Sequence, residues 1–241
     1  MLFLWPPAFS YYEVMGRYKE GSEDMVEGVI FDMDGLMFDT EPVWTRAWTP
    51  TLGAVGLDFF PEIADAVRGT SGKSMEAIIH RFLPDQDAAY LRELLFATAH
   101  RMMASGVPKK PGLDELLTFL TDQSVPMAVA SSSSSELIAM HLENGGVLEY
   151  FTQLVSGVGM SHPKPEPDIF LKAADALGVE PAKTLVLEDS LSGVHAGVAG
   201  NFITVMVPDM VAPDDFALEH ATRICKDLIE VRDLLAAGEL G

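Results

Sequence analysis

The sequence predicts an α/β fold in which a parallel-sheet core carries a small helical domain inserted after the first strand. Two observations lead to this fold. A single short apolar run is followed by a long helix-like segment, and short apolar runs then alternate with helix-like stretches along the second half of the chain. Strands that alternate with helices form βαβ units, whose right-handed crossovers build a parallel sheet covered on both faces.

The first strand is predicted at VEGVIF, residues 26–31, because this short run is mostly apolar. No comparable strand follows between Pro42 and about Lys110, where apolar residues recur at helical spacing in MEAIIHRFL and AAYLRELLFATAHRMMA. The segment GVPKKPG, residues 106–112, ends the insert with proline and glycine. We therefore predict a helical cap domain at residues 42–110 and an α/β core at residues 25–41 and 111–241.

The second half of the chain alternates regularly between helices and strands. Helices are predicted at PGLDELLTFLTDQ, SELIAMHLENGG, DIFLKAADALG and SGVHAGVAG. Strands are predicted at PMAVA, TQLVSG, TLVLED and FITVMV. This order predicts a Rossmann-like parallel sheet as the core.

Composition and charge restrict the partners. The 241-residue chain has a formal net charge of −20 and a sequence pI near 4.5. Nucleic acid and anionic lipid both require clusters of Lys and Arg, so neither is an expected partner. Cys225 is the single cysteine, which excludes an internal disulfide and a cysteine-based zinc site. The single cysteine favours a reducing, cytoplasmic setting. No apolar run is long enough to cross a membrane, and we expect a monomer.

Residues 1–24 form a leader of uncertain role. Its apolar start is short, is interrupted by Pro6 and Pro7, and lacks a basic segment, so a signal peptide is not expected. Its aromatic residues leave open a weak docking role at a membrane surface or on a partner. We prefer a dispensable leader, because Met25 stands directly before the first strand.

Polar residues follow the predicted strands, and ligands of open parallel sheets bind at the carboxyl ends of the strands. They are Asp32 and Asp34 after the first strand, Ser131 and Ser132 after PMAVA, Lys164 in HPKPEPD, and Glu188 and Asp189 after TLVL. We therefore expect acidic, hydroxyl and ammonium groups to meet at one edge of the sheet.

These residue types suit phosphoryl transfer when they act together. Carboxylates are preferred ligands of Mg²⁺, and one aspartate can attack an electrophile while another serves as acid and base. Ser131 and the N–H groups that open the following helix can hold a phosphate, and Lys164 supplies local positive charge in an acidic protein. Each motif alone has an ordinary explanation as an Asx turn, a helix cap or a solvated lysine.

The chain resembles the haloacid dehalogenase superfamily, and within it the β-phosphoglucomutase-like branch, over residues 26–207. The resemblance is carried by DMDGLMFDTEP, VASSS, HPKPEPDIF and LEDSLSG. It implies that Asp32 is the nucleophile that becomes an aspartyl-phosphate and that Asp34 is the general acid and base. Members that cleave carbon–halogen or phosphonate bonds lack an acid at the position of Asp34, so its presence points to a phosphate ester.

The resemblance also assigns the remaining residues of the core. It implies that Ser131 and Lys164 hold the phosphate, with Ser132 beside them. It further implies that Asp189 binds Mg²⁺ together with Asp32 and the main-chain carbonyl of Asp34. Glu188 is expected to be a neighbour in this metal site.

One position departs from the mutase pattern. β-Phosphoglucomutases usually carry a histidine where this chain has Trp44, and their cap arginine is hard to place because Gly72 separates the candidate cations Arg68 and Lys73. The segment DTEPVW is more similar to sugar-phosphate phosphatases, such as those that hydrolyse 2-deoxyglucose 6-phosphate. We expect Trp44 and Lys73 to contact substrate, although Trp44 could equally pack within the first cap helix.

These observations predict a Mg²⁺-dependent phosphatase that acts on a small phosphorylated metabolite of the sugar-phosphate type. Two alternatives stay open. A phosphomutase would pass the phosphoryl group to a second sugar hydroxyl, and a catalytically idle metabolite-binding protein would use the same fold without turnover.

Overall fold

A six-stranded parallel sheet forms the centre of the molecule in the computed structural model, which describes residues 26–68, 70 and 72–240. The strands are β1 (Gly28–Phe31), β2 (Met127–Ser131), β3 (Gln153–Ser156), β4 (Thr184–Glu188), β5 (Ile203–Met206) and β6 (Arg223–Ile224). Their order across the sheet is β3-β2-β1-β4-β5-β6, and every neighbouring pair is parallel. The predicted α/β fold is therefore confirmed, whereas the predicted leader lies outside the described residues.

The segment after β1 is helical, as predicted. Its helices are α1 (Glu41–Gly53), α2 (Pro61–Val67), α3 (Gly72–Phe82) and α4 (Ala88–Met103). Proline in the first turn starts α1 and α2, and the Asp87 side chain caps α4 by accepting a hydrogen bond from the Tyr90 N–H at 3.1 Å.

The helical insert buries its own apolar side chains. Trp48, Leu52, Ile63, Leu91 and Leu95 belong to one cluster that lies apart from the sheet. α1 packs along α4, and α3 also contacts α4. Separate burial of this kind suits a distinct unit, so the division at residues 42–110 stays our preferred prediction.

The sheet is covered on both faces by the remaining helices. These are α5 (Leu113–Asp122), α6 (Ser135–Asn144), α7 (Asp168–Leu177), α8 (Leu191–Ala199), α9 (Asp215–His220) and α10 (Leu228–Ala236). Successive side chains of β1 point to opposite faces, so Val29 and Phe31 join the cluster of α5, α6 and α10, whereas Ile30 joins that of α7 and α8. Burial on both faces explains why the central strands are apolar throughout.

Two connections link the helical insert to the sheet, and backbone contacts tie them together. The Lys110 N–H donates to the Met37 carbonyl at 2.8 Å, and Phe38 forms an antiparallel bridge with Lys109. The paired connections lie directly beside the carboxyl end of β1. Among the described residues, no helix has the length and apolar character needed to traverse a bilayer.

Candidate active site

The three central strands bring their carboxyl ends side by side. Phe31 of β1 pairs with Val129 of β2 on one side and with Leu187 of β4 on the other. The residues that follow each strand therefore meet at one edge of the sheet. These are Asp32 and Asp34 after β1, Ser132 to Ser134 after β2, and Asp189 after β4, with Ser131 and Glu188 as the last residues of their strands.

Lys164 lies between two of these carboxylates. Its ammonium donates to Asp32 Oδ1 at 2.6 Å and to Glu188 Oε1 at 2.5 Å, and all three side chains are buried. The same ammonium stands 4.8 Å from the centre of the Phe170 ring, whose π-face favours a cation. This lysine is brought to the strand ends by the segment between β3 and α7, as predicted from the sequence.

Burial and charge shift the pKa values of these groups. Burial raises the pKa of Asp32 to about 7, even though Lys164 acts in the opposite direction. Burial also raises the pKa of Asp189, and the charges of Glu188 and Asp32 add to that increase. Burial alone would lower the pKa of Lys164, but the charges of Asp32 and Glu188 outweigh it and raise that pKa, so the ammonium stays charged.

Three carboxylates of this edge form a set that fits a divalent cation. One oxygen from each of Asp32, Glu188 and Asp189 lies within 4.8 Å of the others. Hard, closely spaced oxygen ligands suit Mg²⁺. The donor set therefore fits the metal that the sequence predicts.

Two glycines leave room for the carboxylates. Gly35 has a positive φ of 88°, and a Cβ placed there would overlap the Asp189 carboxylate. A Cβ on Gly193, in α8, would overlap the Glu188 carboxylate. Glu188 is further fixed by the Ser190 N–H and hydroxyl, which both donate to its Oε2 at 2.9 Å. Both carboxylates are thus confined by packing, and Glu188 is also fixed by hydrogen bonds.

Asp34 is held by serine hydroxyls rather than by a cation. The Ser133 hydroxyl donates to Asp34 Oδ2 at 2.9 Å, and the Ser131 hydroxyl approaches the same oxygen at 3.4 Å. The Ser133 N–H also donates to the Ser131 hydroxyl at 3.1 Å. Sequence reasoning missed Ser133, whose signal was its place two residues after Ser131 in the same serine run.

A cavity of about 690 Å³ lies between the sheet edge and the helical insert. The sheet edge forms the lower side of the cavity, which is lined by Asp32, Asp34, Lys164, Asp189, Ser131 and Ser132. The helical insert forms the upper side of the cavity. There Trp44 lines the wall and contacts Phe96 edge-on, with ring centres 4.8 Å apart. Trp44 thus takes part in both the cavity wall and the packing of α1 on α4.

Lys73 is not brought to this cavity. Its side chain is 92% exposed and its ammonium pairs with Glu76 at 2.8 Å on the surface of α3. Arg68 lines the cavity instead, although its guanidinium pairs with Glu41 at 2.7 Å. Spacing alone did not distinguish these two cations, because tertiary packing decides which one faces the cavity.

Comparisons with known proteins agree with this geometry. The family described as haloacid dehalogenase-like hydrolase matches residues 29–207. Fructose-1-phosphate phosphatase YqaB of Escherichia coli K12 is 33% identical over 181 residues, which cover 75% of this chain and 95% of that protein.

Solved structures share the fold over almost their whole length. A haloacid dehalogenase family hydrolase from Deinococcus radiodurans R1, solved with bound phosphate and sodium, is 27% identical with a TM-score of 0.72 and covers 90% of this chain and 98% of that chain. CbbY from Rhodobacter sphaeroides, solved with xylulose-1,5-bisphosphate, is 26% identical with a TM-score of 0.70. The match covers 86% of this chain and 96% of that chain.

The family match spans most of the chain and includes every residue of the sheet edge described above. The curated relatives that are named as enzymes include several phosphatases. The chain therefore belongs to the haloacid dehalogenase-like hydrolases, in the β-phosphoglucomutase-like branch, and is a phosphoric monoester hydrolase.

Proposed function

We propose that this protein is a Mg²⁺-dependent phosphatase that hydrolyses a small phosphorylated metabolite of the sugar-phosphate type through an aspartyl-phosphate. One observation carries the proposal. Lys164 holds the buried Asp32 at 2.6 Å on one side of the cavity floor, while Ser131 and Ser133 hold Asp34 on the other. A nucleophile and a separate acid are thus oriented by different partners.

The first half of the reaction transfers the phosphoryl group to the enzyme. A carboxylate oxygen of Asp32 attacks phosphorus, a new O–P bond forms, and the bond from phosphorus to the leaving oxygen breaks. Asp34 donates a proton to that leaving oxygen, since a sugar alkoxide is a poor leaving group. Lys164 and the Ser131 hydroxyl hold the other phosphate oxygens.

The second half returns the enzyme to its starting state. Asp34, now ionised, accepts a proton from a water molecule as that water attacks the phosphorus of the aspartyl-phosphate. The bond between phosphorus and the Asp32 oxygen breaks, and inorganic phosphate leaves. Asp34 therefore acts as the acid in one step and as the base in the next.

Asp32, Asp189 and the main-chain carbonyl of Asp34 would hold Mg²⁺, with Glu188 beside them. When bound, the ion offsets the charge of the carboxylates and of the phosphate, which would otherwise repel each other. The close spacing of the Asp32, Glu188 and Asp189 oxygens supports the metal assignment.

The size of the cavity and the identity of the relatives support a small sugar phosphate. A space of about 690 Å³ lies within the usual range for small-molecule sites. YqaB, which is 33% identical, is named for fructose 1-phosphate. Hydrolysis is preferred over mutase activity because Trp44 stands where the mutases usually carry histidine.

The localisation, oligomeric state and partners of the enzyme are proposed from its composition. We propose a cytoplasmic monomer, with neither nucleic acid nor membrane as a partner, because of the charge of −20 and the single cysteine. We also propose that residues 42–110 act as a cap, which opens for substrate and closes to exclude water.

A panel of sugar phosphates and p-nitrophenyl phosphate, assayed for phosphate release with and without Mg²⁺, tests the function. The expected result is Mg²⁺-dependent release from at least one sugar phosphate, with net hydrolysis rather than isomer formation. Conversion of a sugar 1-phosphate into its 6-phosphate without phosphate release would instead establish a mutase. A folded protein with no turnover of any phosphate ester would contradict the proposal.

A further inference from the structure

The two sides of the cavity differ in the positive charge that they offer. Among the described residues that line the cavity, the basic ones are Arg68, His100 and Lys164. Lys164 belongs to the sheet edge, where it holds Asp32 and Glu188. The upper side, formed by the helical insert, is therefore left with Arg68 and His100 as its basic groups.

Arg68 is already occupied by two carboxylates. Its Nε lies 2.7 Å from Glu41 Oε1, and its terminal nitrogen lies 3.0 Å from Asp65 Oδ1. The two partners differ in position. Glu41 lines the cavity beside Arg68, whereas Asp65 does not line it and its side chain is 65% exposed. The negative charge of Glu41 consequently repels an anionic group of a substrate bound in the upper cavity.

The rest of the upper wall is aromatic. Trp44, Phe96 and His100 contact one another edge-on, with ring centres 4.8 to 5.8 Å apart. Burial lowers the pKa of His100, so its ring contributes little positive charge near neutral pH. Such a wall suits the apolar face of a sugar ring but does not suit a phosphate dianion.

We infer that Glu41 is a specificity-determining residue: by engaging Arg68, it leaves the described residues of the upper cavity without a free cation and selects monophosphates whose leaving group is uncharged. A second phosphate on the substrate would lie against Glu41 and the aromatic wall, where the part of the chain that the structure describes offers no free cation to pair with it. The shared fold does not impose this exclusion, because CbbY was solved with a bisphosphate. The inference rests on the proposed function, and it names the part of the chain that narrows the substrate class.

The experiment compares matched pairs of substrates. Fructose 1-phosphate is paired with fructose 1,6-bisphosphate, and glucose 6-phosphate with glucose 1,6-bisphosphate, and kcat/KM is measured for wild type with Mg²⁺. For the pair that is turned over, the monophosphate should be preferred by at least about tenfold, since like charges brought together at a binding site cost several kcal/mol. This measurement needs no variant.

Two single variants then separate Glu41 from general charge effects. Glu41→Gln should free the Nε of Arg68 for the substrate, while Asp65 keeps the terminal nitrogen, and should reduce the preference for the monophosphate by about fivefold or more. Asp65→Asn removes an equal negative charge beside the same arginine, but Asp65 lies outside the cavity. The preference of this variant for the monophosphate should therefore stay within about twofold of wild type. In the double variant Glu41→Gln/Arg68→Gln, the preference should return, because the released cation is gone.

The outcomes distinguish the inference from the proposed function. Equal kcat/KM for both members of a pair in the wild type would overturn the inference alone, as would equal effects of Glu41→Gln and Asp65→Asn. Turnover of p-nitrophenyl phosphate without turnover of any sugar phosphate in the panel would overturn the proposed substrate class and the inference with it.

Discussion

The lower and upper sides of the cavity are built in different ways. On the sheet edge, Lys164 is buried between Asp32 and Glu188 and pairs with both carboxylates. On the helical insert, Arg68 pairs with Glu41 at the margin of an aromatic wall and keeps about a quarter of its side chain exposed. The side on which we propose that the phosphoryl group binds is thus buried and charged, whereas the side that we propose meets the leaving group is largely aromatic.

The largest effect is expected from removal of the proposed nucleophile. Asp32→Asn keeps the shape of the side chain but removes the attacking oxygen's charge, so kcat should fall by at least about 10⁴-fold. Phosphate release from a saturating substrate measures this. Asp85→Asn, which removes one charge from an exposed residue, is the matched control and should behave as wild type. Turnover close to wild type in folded Asp32→Asn would exclude Asp32 as the nucleophile.

Metal removal tests whether the charge crowding on the sheet edge needs a cation. Exhaustive chelation with EDTA should abolish phosphate release, and added Mg²⁺ should restore it. Ca²⁺ should inhibit, because its looser coordination tolerates geometries that spoil in-line attack. Full activity of the chelated enzyme would contradict the metal assignment for Asp32, Glu188 and Asp189.

A smaller effect is expected from the positioning residue Ser133. Ser133→Ala removes the 2.9 Å hydrogen bond to Asp34, so kcat for a sugar phosphate should fall by about tenfold, or ~1.4 kcal/mol of barrier. p-Nitrophenyl phosphate should be affected less, because its leaving group departs without a proton. Ser135→Ala, in the same serine run but without a bond to Asp34, is the control. Equal losses on both substrates would argue against a role through Asp34.

The smallest effect is expected on the upper wall. Trp44→Ala should change the ranking of sugar phosphates while p-nitrophenyl phosphate turnover stays within about tenfold. Lys73→Ala should leave the ranking unchanged, because the structure places the ammonium of Lys73 in solvent beside Glu76. A changed ranking in Lys73→Ala would restore this residue to the substrate site, and an unchanged ranking in Trp44→Ala would remove Trp44 from it.

The difference between the two sides also explains what could be predicted from the sequence. Asp32, Glu188 and Asp189 were found because each sits at a strand end, and parallel strands place their carboxyl ends together whatever the details of packing. Lys164 was found because its proline-flanked segment opens a helix at the same edge. Their local sequence is sufficient to position them.

The upper wall and the chain's end were less predictable. Trp44 and Phe96 come from α1 and α4, and Arg68 directly follows α2. Side-chain packing decides the rotation and crossing of these helices, and the spacing of residues does not report it. The tail from α9 to α10 was not predicted, since β6 has only two residues and carries too little pattern to be seen. Tertiary packing, rather than local preference, decides these parts.

The lack of room for a side chain at the two glycines has a consequence for sequence variation among related proteins. Gly35 and Gly193 carry no side chain and take part in no step, yet even one methyl group at either position would displace a carboxylate of the proposed metal site. Substitutions there should therefore be rejected as firmly as substitutions of the acids themselves. In a set of related sequences, glycine should be invariant at these positions because no side chain fits there, and not because glycine takes part in the reaction.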